Sequence, residues 1–106
     1  MSTLSTHVLD TALGRPAKGV RVTLEQEGKT LGSGTTDADG RVRDLLARLA
    51  EGDYLLRFSV AEYFSSTGRE SFYPEVVVNF HVGGGGDHYH VPLLLSPFGY
   101  STYRGS

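Results

Sequence analysis

The chain has no cysteine and no tryptophan among its 106 residues. The missing thiols exclude a disulfide framework, a thiolate zinc site and a cysteine nucleophile together. An excess of positive charge is also missing. Ten Lys and Arg stand against twelve Asp and Glu, a formal net charge of -2, and there is no basic stripe of the kind that nucleic acid or an anionic membrane needs. No apolar run approaches the roughly eighteen residues of a membrane span. Met1-Ser2-Thr3-Leu4-Ser5-Thr6-His7 holds neither the basic nor the apolar region of a signal peptide. The expectation is a soluble, cytoplasmic protein that contacts neither nucleic acid nor membrane. Common catalytic signatures are absent as well: no G-x-S-x-G elbow, no phosphate-binding glycine loop and no H-E-x-x-H helix. Any activity has to be assembled from scattered polar groups.

What is present suits a globular chain. A hydrophobic share of 39% and a charged share of 21% supply one core, and a chain of this length buries roughly two-thirds of its unfolded surface without disulfides or a structural metal. One domain spanning 1–106 is expected. Glycine, at 14 residues, has about twice its usual share and predicts many tight turns.

Period-2 alternation runs through the chain. In Gly19-Val20-Arg21-Val22-Thr23-Leu24-Glu25 apolar residues fall on one face and polar ones on the other, as in a half-buried strand. Leu4 to Thr11 reads as an earlier strand, ended by Gly14-Arg15-Pro16, with Ser5 and His7 on one face. Thr30 to Thr36 is a weak or bulged strand because of Gly32 and Gly34, and Asp37-Ala38-Asp39-Gly40 is a tight turn that delivers Arg41. Arg43 to Glu51 spaces Leu45, Leu46 and Leu49 helically but is too short to assign. Asp53 to Val60 alternates with Tyr54, Leu56, Phe58 and Val60 inward, and Ala61 to Gly68 predicts a short helix. A strand opened by Pro74 carries Val76, Val78, Phe80 and Val82 on one face and ends at the Gly83–Gly86 run. His88 to Ser96 and Tyr100 to Arg104 are two last strands around the Ser96-Pro97-Phe98-Gly99 turn. Seven or eight short strands with turns about every ten residues predict an all-β antiparallel sandwich or barrel.

The polar candidates are few. Of four histidines, His7, His81, His88 and His90, the last two project from one face of their strand. A histidine pair titrating near neutrality can activate water and then protonate a leaving nitrogen, so hydrolysis is the natural chemistry. Surface decoration is the plain alternative for each histidine. A His-x-His zinc site with a third histidine is another, but no Asp, Glu or Cys stands at ligand spacing around the pair. Arg41 is either a surface charge or a planar fork for an anionic or imide-like ligand. In Tyr100-Ser101-Thr102-Tyr103-Arg104-Gly105-Ser106 aromatic and hydroxyl residues continue to the last positions, which predicts a tail packed on a site, on a subunit interface, or on both.

Read together, His88-Tyr89-His90-Val91-Pro92-Leu93-Leu94-Leu95-Ser96-Pro97-Phe98-Gly99-Tyr100-Ser101-Thr102 and the closing Tyr103-Arg104-Gly105-Ser106 resemble the 5-hydroxyisourate hydrolases, the transthyretin-related proteins. Leu4-Ser5-Thr6-His7-Val8-Leu9-Asp10, Gly14-Arg15-Pro16-Ala17, Asp39-Gly40-Arg41 and Phe72-Tyr73-Pro74 look like further motifs of that family in the expected order. The chain departs from it at Thr36-Asp37, where many relatives carry Thr-Asn, and at the four-glycine hairpin. The resemblance implies a transthyretin-like sandwich of two antiparallel four-stranded sheets with one short helix. It also implies a homotetramer with sites between dimers.

The implied reaction is ring opening of 5-hydroxyisourate to 2-oxo-4-hydroxy-4-carboxy-5-ureidoimidazoline in uric acid breakdown, with no metal and no cofactor. By similarity His7, Arg41 and His90 match the catalytic residues, and Tyr103, Arg104, Gly105 and Ser106 form a substrate clamp. Two other classes fit the sequence less well. A transthyretin-like carrier of a small ligand would lack the histidine set and the Tyr-Arg-Gly-Ser ending, and an immunoglobulin-like adhesion domain gives no reason for a polar tail.

Overall fold

The computed structural model describes residues 1–42, 45 and 48–105. Among the described residues ten elements follow one another: β1 (Thr3–Asp10), β2 (Arg15–Pro16), β3 (Arg21–Gln26), β4 (Lys29–Thr35), β5 (Arg41–Val42), β6 (Gly52–Phe58), α1 (Val60–Ser66), β7 (Val76–Val82), β8 (His88–Ser96) and β9 (Gly99–Thr102). One sheet has the order β2-β1-β8-β9, with the two-residue β5 also on β1; the other has the order β4-β3-β6-β7.

The alternation in the sequence becomes the two faces of each sheet. Along β1, Leu4, Thr6, Val8 and Asp10 are buried while Ser5, His7 and Leu9 are half-buried. Along β8, Tyr89, Val91, Leu93 and Leu95 turn inward. They meet Val22 and Leu24 of β3 and Leu56 and Phe58 of β6 in one core. A fully buried aliphatic or aromatic side chain contributes about 1.5–3 kcal/mol, so the alternation holds the register of every strand: a slip by one residue would turn each inward face out.

All the expected strands form, with three instructive differences. The β1–β8 ladder is parallel, from Thr3 opposite His88 to Asp10 opposite Leu95, whereas alternation and the resemblance led to antiparallel pairing throughout. The chain leaves β1, crosses to the second sheet, and returns to enter β8 from the same end, so these two strands cannot run opposite ways. The helix begins at Val60, a residue that the strand pattern placed at the end of the preceding strand, and it buries Val60, Tyr63 and Phe64. Leu45 and Leu49 of the unassigned segment are buried, and Leu49 exchanges backbone hydrogen bonds with Ser2 at 2.9 and 2.7 Å; Leu46 lies outside the described residues.

The expected last strand, Tyr100 to Arg104, stops at Thr102. Thr102 is opposite Leu93, so the next residue, Tyr103, faces Pro92, which has no N–H to donate. The Thr102 hydroxyl takes the Pro92 carbonyl instead, at 2.7 Å. Beyond the gap the register resumes, with Gly105 bridged to His90.

The helix is tied to β1 by a buried polar cluster. Asp10, fully buried, accepts from the Tyr63 hydroxyl at 2.7 Å, from Arg69 Nη2 at 2.6 Å, and from the backbone N–H groups of Ala12 and Leu13. The Arg69 guanidinium also lies 4.9 Å from the Phe64 ring centre. Burial opposes ionisation of Asp10, but these donors outweigh it and hold its carboxyl below the ordinary carboxylate value.

Candidate active site

Four segments meet on the outer face of the first sheet: β1, β5, β8 and the tail. The parallel register sets Thr3, Ser5 and His7 beside His88, His90 and Pro92, and the two-residue period turns all six to the same side. On the other edge of β1, His7 is opposite Arg41. His7, Arg41 and His90, 83 residues apart at the extremes, thus come onto one patch of surface.

Arg41 is delivered by a turn that Asp37 holds. The Asp37 carboxylate accepts from the Asp39 N–H at 2.9 Å and the Arg41 N–H at 3.0 Å, and Gly40 N–H donates to the Asp37 carbonyl at 2.8 Å. Gly40 sits at φ +76°, a conformation that favours glycine. A Cβ on it would fall 2.4 Å from the Val8 carbonyl oxygen and 3.2 Å from the His7 ring. The glycine between Asp39 and Arg41 is therefore needed twice, for the turn and for the close approach to His7.

His90 is half-buried. Its Nδ1 is 2.7 Å from Ser5 Oγ, its carbonyl accepts from the Gly105 N–H at 2.8 Å, and the Gly105 Cα packs on the ring itself. Burial, followed by the positive charge of Arg41 and the neighbouring His7 and His88, pushes the His90 pKa below the ordinary imidazole value of 6.5, against a smaller opposing pull from a hydrogen bond at Ser5. A histidine in that setting is neutral at pH 7 and can accept a proton. An open recess of about 500 Å³ lies at the β1–β5 pair, lined by Leu4, Ser5, Thr6, Arg41 and Val42.

The tail residues do not all reach this patch. In the resumed register Gly105 lies on the histidine side, and Tyr103, 56% exposed, borders the same recess as Arg104. Arg104 alternates to the other side, with its guanidinium 4.4 Å from the centre of the Tyr89 ring. It lines a separate recess of about 460 Å³ with Val78, Phe80, Tyr89 and Val91. Ser106 lies outside the described residues.

Ser5 and Asp37 are not marked as site residues by the sequence, and His88 is marked only as the partner of His90 on one strand face. Ser5 bonds both His88 and His90, His88 bonds Ser5 and Thr3, and Asp37 holds the Arg41 turn. The shared face of Ser5 and His7 was visible in the alternation, but which strand lies beside them was not. His81, the remaining histidine, is far along another edge and pairs with Asp53 at 2.6 Å. Among the described residues no three of His, Asp and Glu are grouped as metal ligands.

The chain resembles known proteins in sequence and in fold. The model of the HIUase/Transthyretin family matches residues 4–105. The 5-hydroxyisourate hydrolase of Salmonella dublin is 50% identical over 109 residues, which cover 97% of this chain and 80% of the relative. The structure of Klebsiella pneumoniae 5-hydroxyisourate hydrolase superposes with a TM-score of 0.92 at 45% identity, covering 100% of this chain and 94% of the other. Sea bream transthyretin in complex with thyroxine superposes with a TM-score of 0.91 at 30% identity, over 96% of this chain and 93% of the other. The chain belongs to the HIUase/Transthyretin family.

Proposed function

We propose that this protein is a 5-hydroxyisourate hydrolase that opens the substrate ring to 2-oxo-4-hydroxy-4-carboxy-5-ureidoimidazoline in uric acid degradation. The observation that carries the reading is the convergence of His7, Arg41 and His90 on one outward patch closed over by Gly105. That patch belongs to a chain 50% identical to a 5-hydroxyisourate hydrolase.

Neutral His90 takes a proton from water as the water oxygen adds to the ring carbonyl. The Arg41 guanidinium, which has no hydrogen-bond partner among the described residues, faces the oxygen on which negative charge develops. His7 protonates the leaving ring nitrogen as the C–N bond breaks. Tyr103, Gly105 and Ser106 wall the substrate in, and Arg104 contributes by anchoring the tail on Tyr89. No metal or cofactor is called on.

The reading includes one domain over 1–106 and a homotetramer with sites between dimers. β7 and β9 end their sheets with open edges, which suits pairing into a dimer. The half-buried outer face around His7 and Leu94, with Phe98 exposed nearby, suits a second dimer stacked across the site. The compartment we assign is the cytoplasm; no helix among the described residues is long and apolar enough to cross a membrane. A ligand carrier is less well supported: the thyroxine-bound neighbour is 30% identical, and carriage gives no task to the two histidines and arginine.

The test is to form 5-hydroxyisourate in place from urate with urate oxidase and to follow its ultraviolet decay. Fast decay that is lost in His90→Ala supports the hydrolase. Decay at the spontaneous rate with folded wild-type protein sinks it.

A further inference from the structure

Behind His90, on the side away from Arg41, hydrogen-bonded side chains continue to the exposed end of the sheet. His90 Nδ1 is 2.7 Å from Ser5 Oγ, Ser5 Oγ is 2.9 Å from His88 Nε2, and His88 Nδ1 is 2.5 Å from Thr3 Oγ1. The chain of contacts zigzags between β1 and β8, and it exists because the parallel register puts Thr3 beside His88 and Ser5 beside His90 on the same face. His90 is half-buried, while His88 and Thr3 are exposed.

We propose that Ser5 and His88 form a proton relay that carries charge from His90 to the protein surface during turnover. This rests on the reading of His90 as the base of the hydrolase. A serine hydroxyl has one hydrogen to donate and can accept another, so the chain has two self-consistent directions. In the first, His90 Nδ1–H donates to Ser5 Oγ, Ser5 O–H donates to His88 Nε2, and His88 Nδ1–H donates to Thr3 Oγ1. His90 Nε2 then carries a lone pair, as a general base requires.

When Nε2 takes the proton of the attacking water, His90 becomes an imidazolium close to Arg41 of β5, His7 of β1 and His88 of β8, beneath the backbone of Gly105 in the tail. The Nδ1 proton passes to Ser5 as the Ser5 proton passes to His88 Nε2. His90 is left neutral with its hydrogen on Nε2, and the positive charge rests on exposed His88, where water solvates it. No bond other than O–H and N–H is made or broken. His88 releases its Nδ1 hydrogen to solvent, and the chain resets when His90 Nε2 gives up its hydrogen to water while Ser5 returns one to His90 Nδ1, His88 Nε2 returns one to Ser5, and His88 Nδ1 takes one from solvent. Ser5 and His88 are thus positioning residues that act through His90.

The test uses Ser5→Ala, Ser5→Thr and His88→Gln with two readouts. The first is the tautomer of His90 from ring-nitrogen NMR at pH 8, with the signal assigned by His90→Ala. The expected result is the Nδ1–H form in wild type and Ser5→Thr, and loss of that preference in Ser5→Ala. The second is kinetic. Ser5→Ala and His88→Gln each lower kcat by about tenfold, a part of the roughly 100-fold or more that a positioned base supplies, with KM unchanged and Ser5→Thr close to wild type.

An unchanged tautomer in Ser5→Ala overturns the proposal. So does a kcat that falls in Ser5→Ala but not in His88→Gln, since Ser5 would then orient His90 without passing protons onward. If wild type fails to hydrolyse 5-hydroxyisourate, the hydrolase reading fails by itself, and the tautomer comparison still decides whether Ser5 and His88 govern the His90 proton.

Discussion

Gly105 lies directly on the imidazole of His90: a Cβ added there would stand 2.6 Å from the ring Cδ2 and 3.3 Å from Cγ. The same glycine donates its N–H to the His90 carbonyl at 2.8 Å, so the chain end is pinned at the ring whose basicity the reaction uses. A side chain at 105 has to push the tail off or tilt the ring.

Gly105→Ala should therefore lower kcat/KM by about tenfold or more, as expected when positioned groups are displaced by an ångström, while thermal unfolding hardly changes because the tail adds little to the core. Steady-state kinetics beside a melting curve decides this. Wild-type kinetics in the variant would show that the tail does not organise His90.

Arg41→Ala separates two effects of one charge. Loss of oxyanion stabilisation should lower kcat by about 100-fold. Independently, the acid limb of the kcat/KM profile should shift. Activity requires neutral His90, so it falls as pH drops through the His90 pKa, which burial and then the Arg41 charge hold below 6.5. Without Arg41 that pKa rises and the limb moves up toward 6.5. A profile that stays in place, measured over pH 5 to 8, would mean that Arg41 does not act on His90.

The Asp10 cluster predicts a stability effect without a catalytic one. Asp10→Ala leaves Arg69 and Tyr63 without their acceptor in the interior, and loss of one partner of a buried ion pair costs about 3–5 kcal/mol. Because the Asp10 pKa is lowered in the folded state, its contribution is complete above the ordinary carboxylate value and is lost as pH falls through the lowered one. Urea unfolding at pH 7 should show the full difference between wild type and variant, and the difference should shrink below about pH 4.

Gly40→Ala tests the turn that presents Arg41. With φ at +76° and the Val8 carbonyl oxygen 2.4 Å from the new Cβ, the variant should lose about 1–3 kcal/mol of stability and more activity than that loss explains, since Arg41 moves with the turn. Chemical denaturation paired with kinetics on the folded fraction measures both. Equal stability would mean that the turn relaxes freely.

The sequence alone was enough to identify most of the elements and several inward residues, because a side-chain period of two is written residue by residue: Val22 and Leu24 alternate with polar neighbours, Leu56 and Phe58 keep the same period, and all four are fully buried. It also marked His7, Arg41, His90 and Gly105 as candidates through their motifs. It could not show which strands are neighbours. Pairing is decided by how the two sheets bury their faces against each other, a property of the whole chain that no local pattern carries. Only in the tertiary structure does the parallel β1–β8 ladder appear, and with it the Ser5 bridge between His88 and His90. The fate of the tail was settled by a contact of the same kind: Pro92, unremarkable where it stands in the sequence, faces Tyr103 across the sheet and ends β9 for want of one N–H. That break in the ladder is followed by the return of Gly105 to His90, with Arg104 turned away to Tyr89.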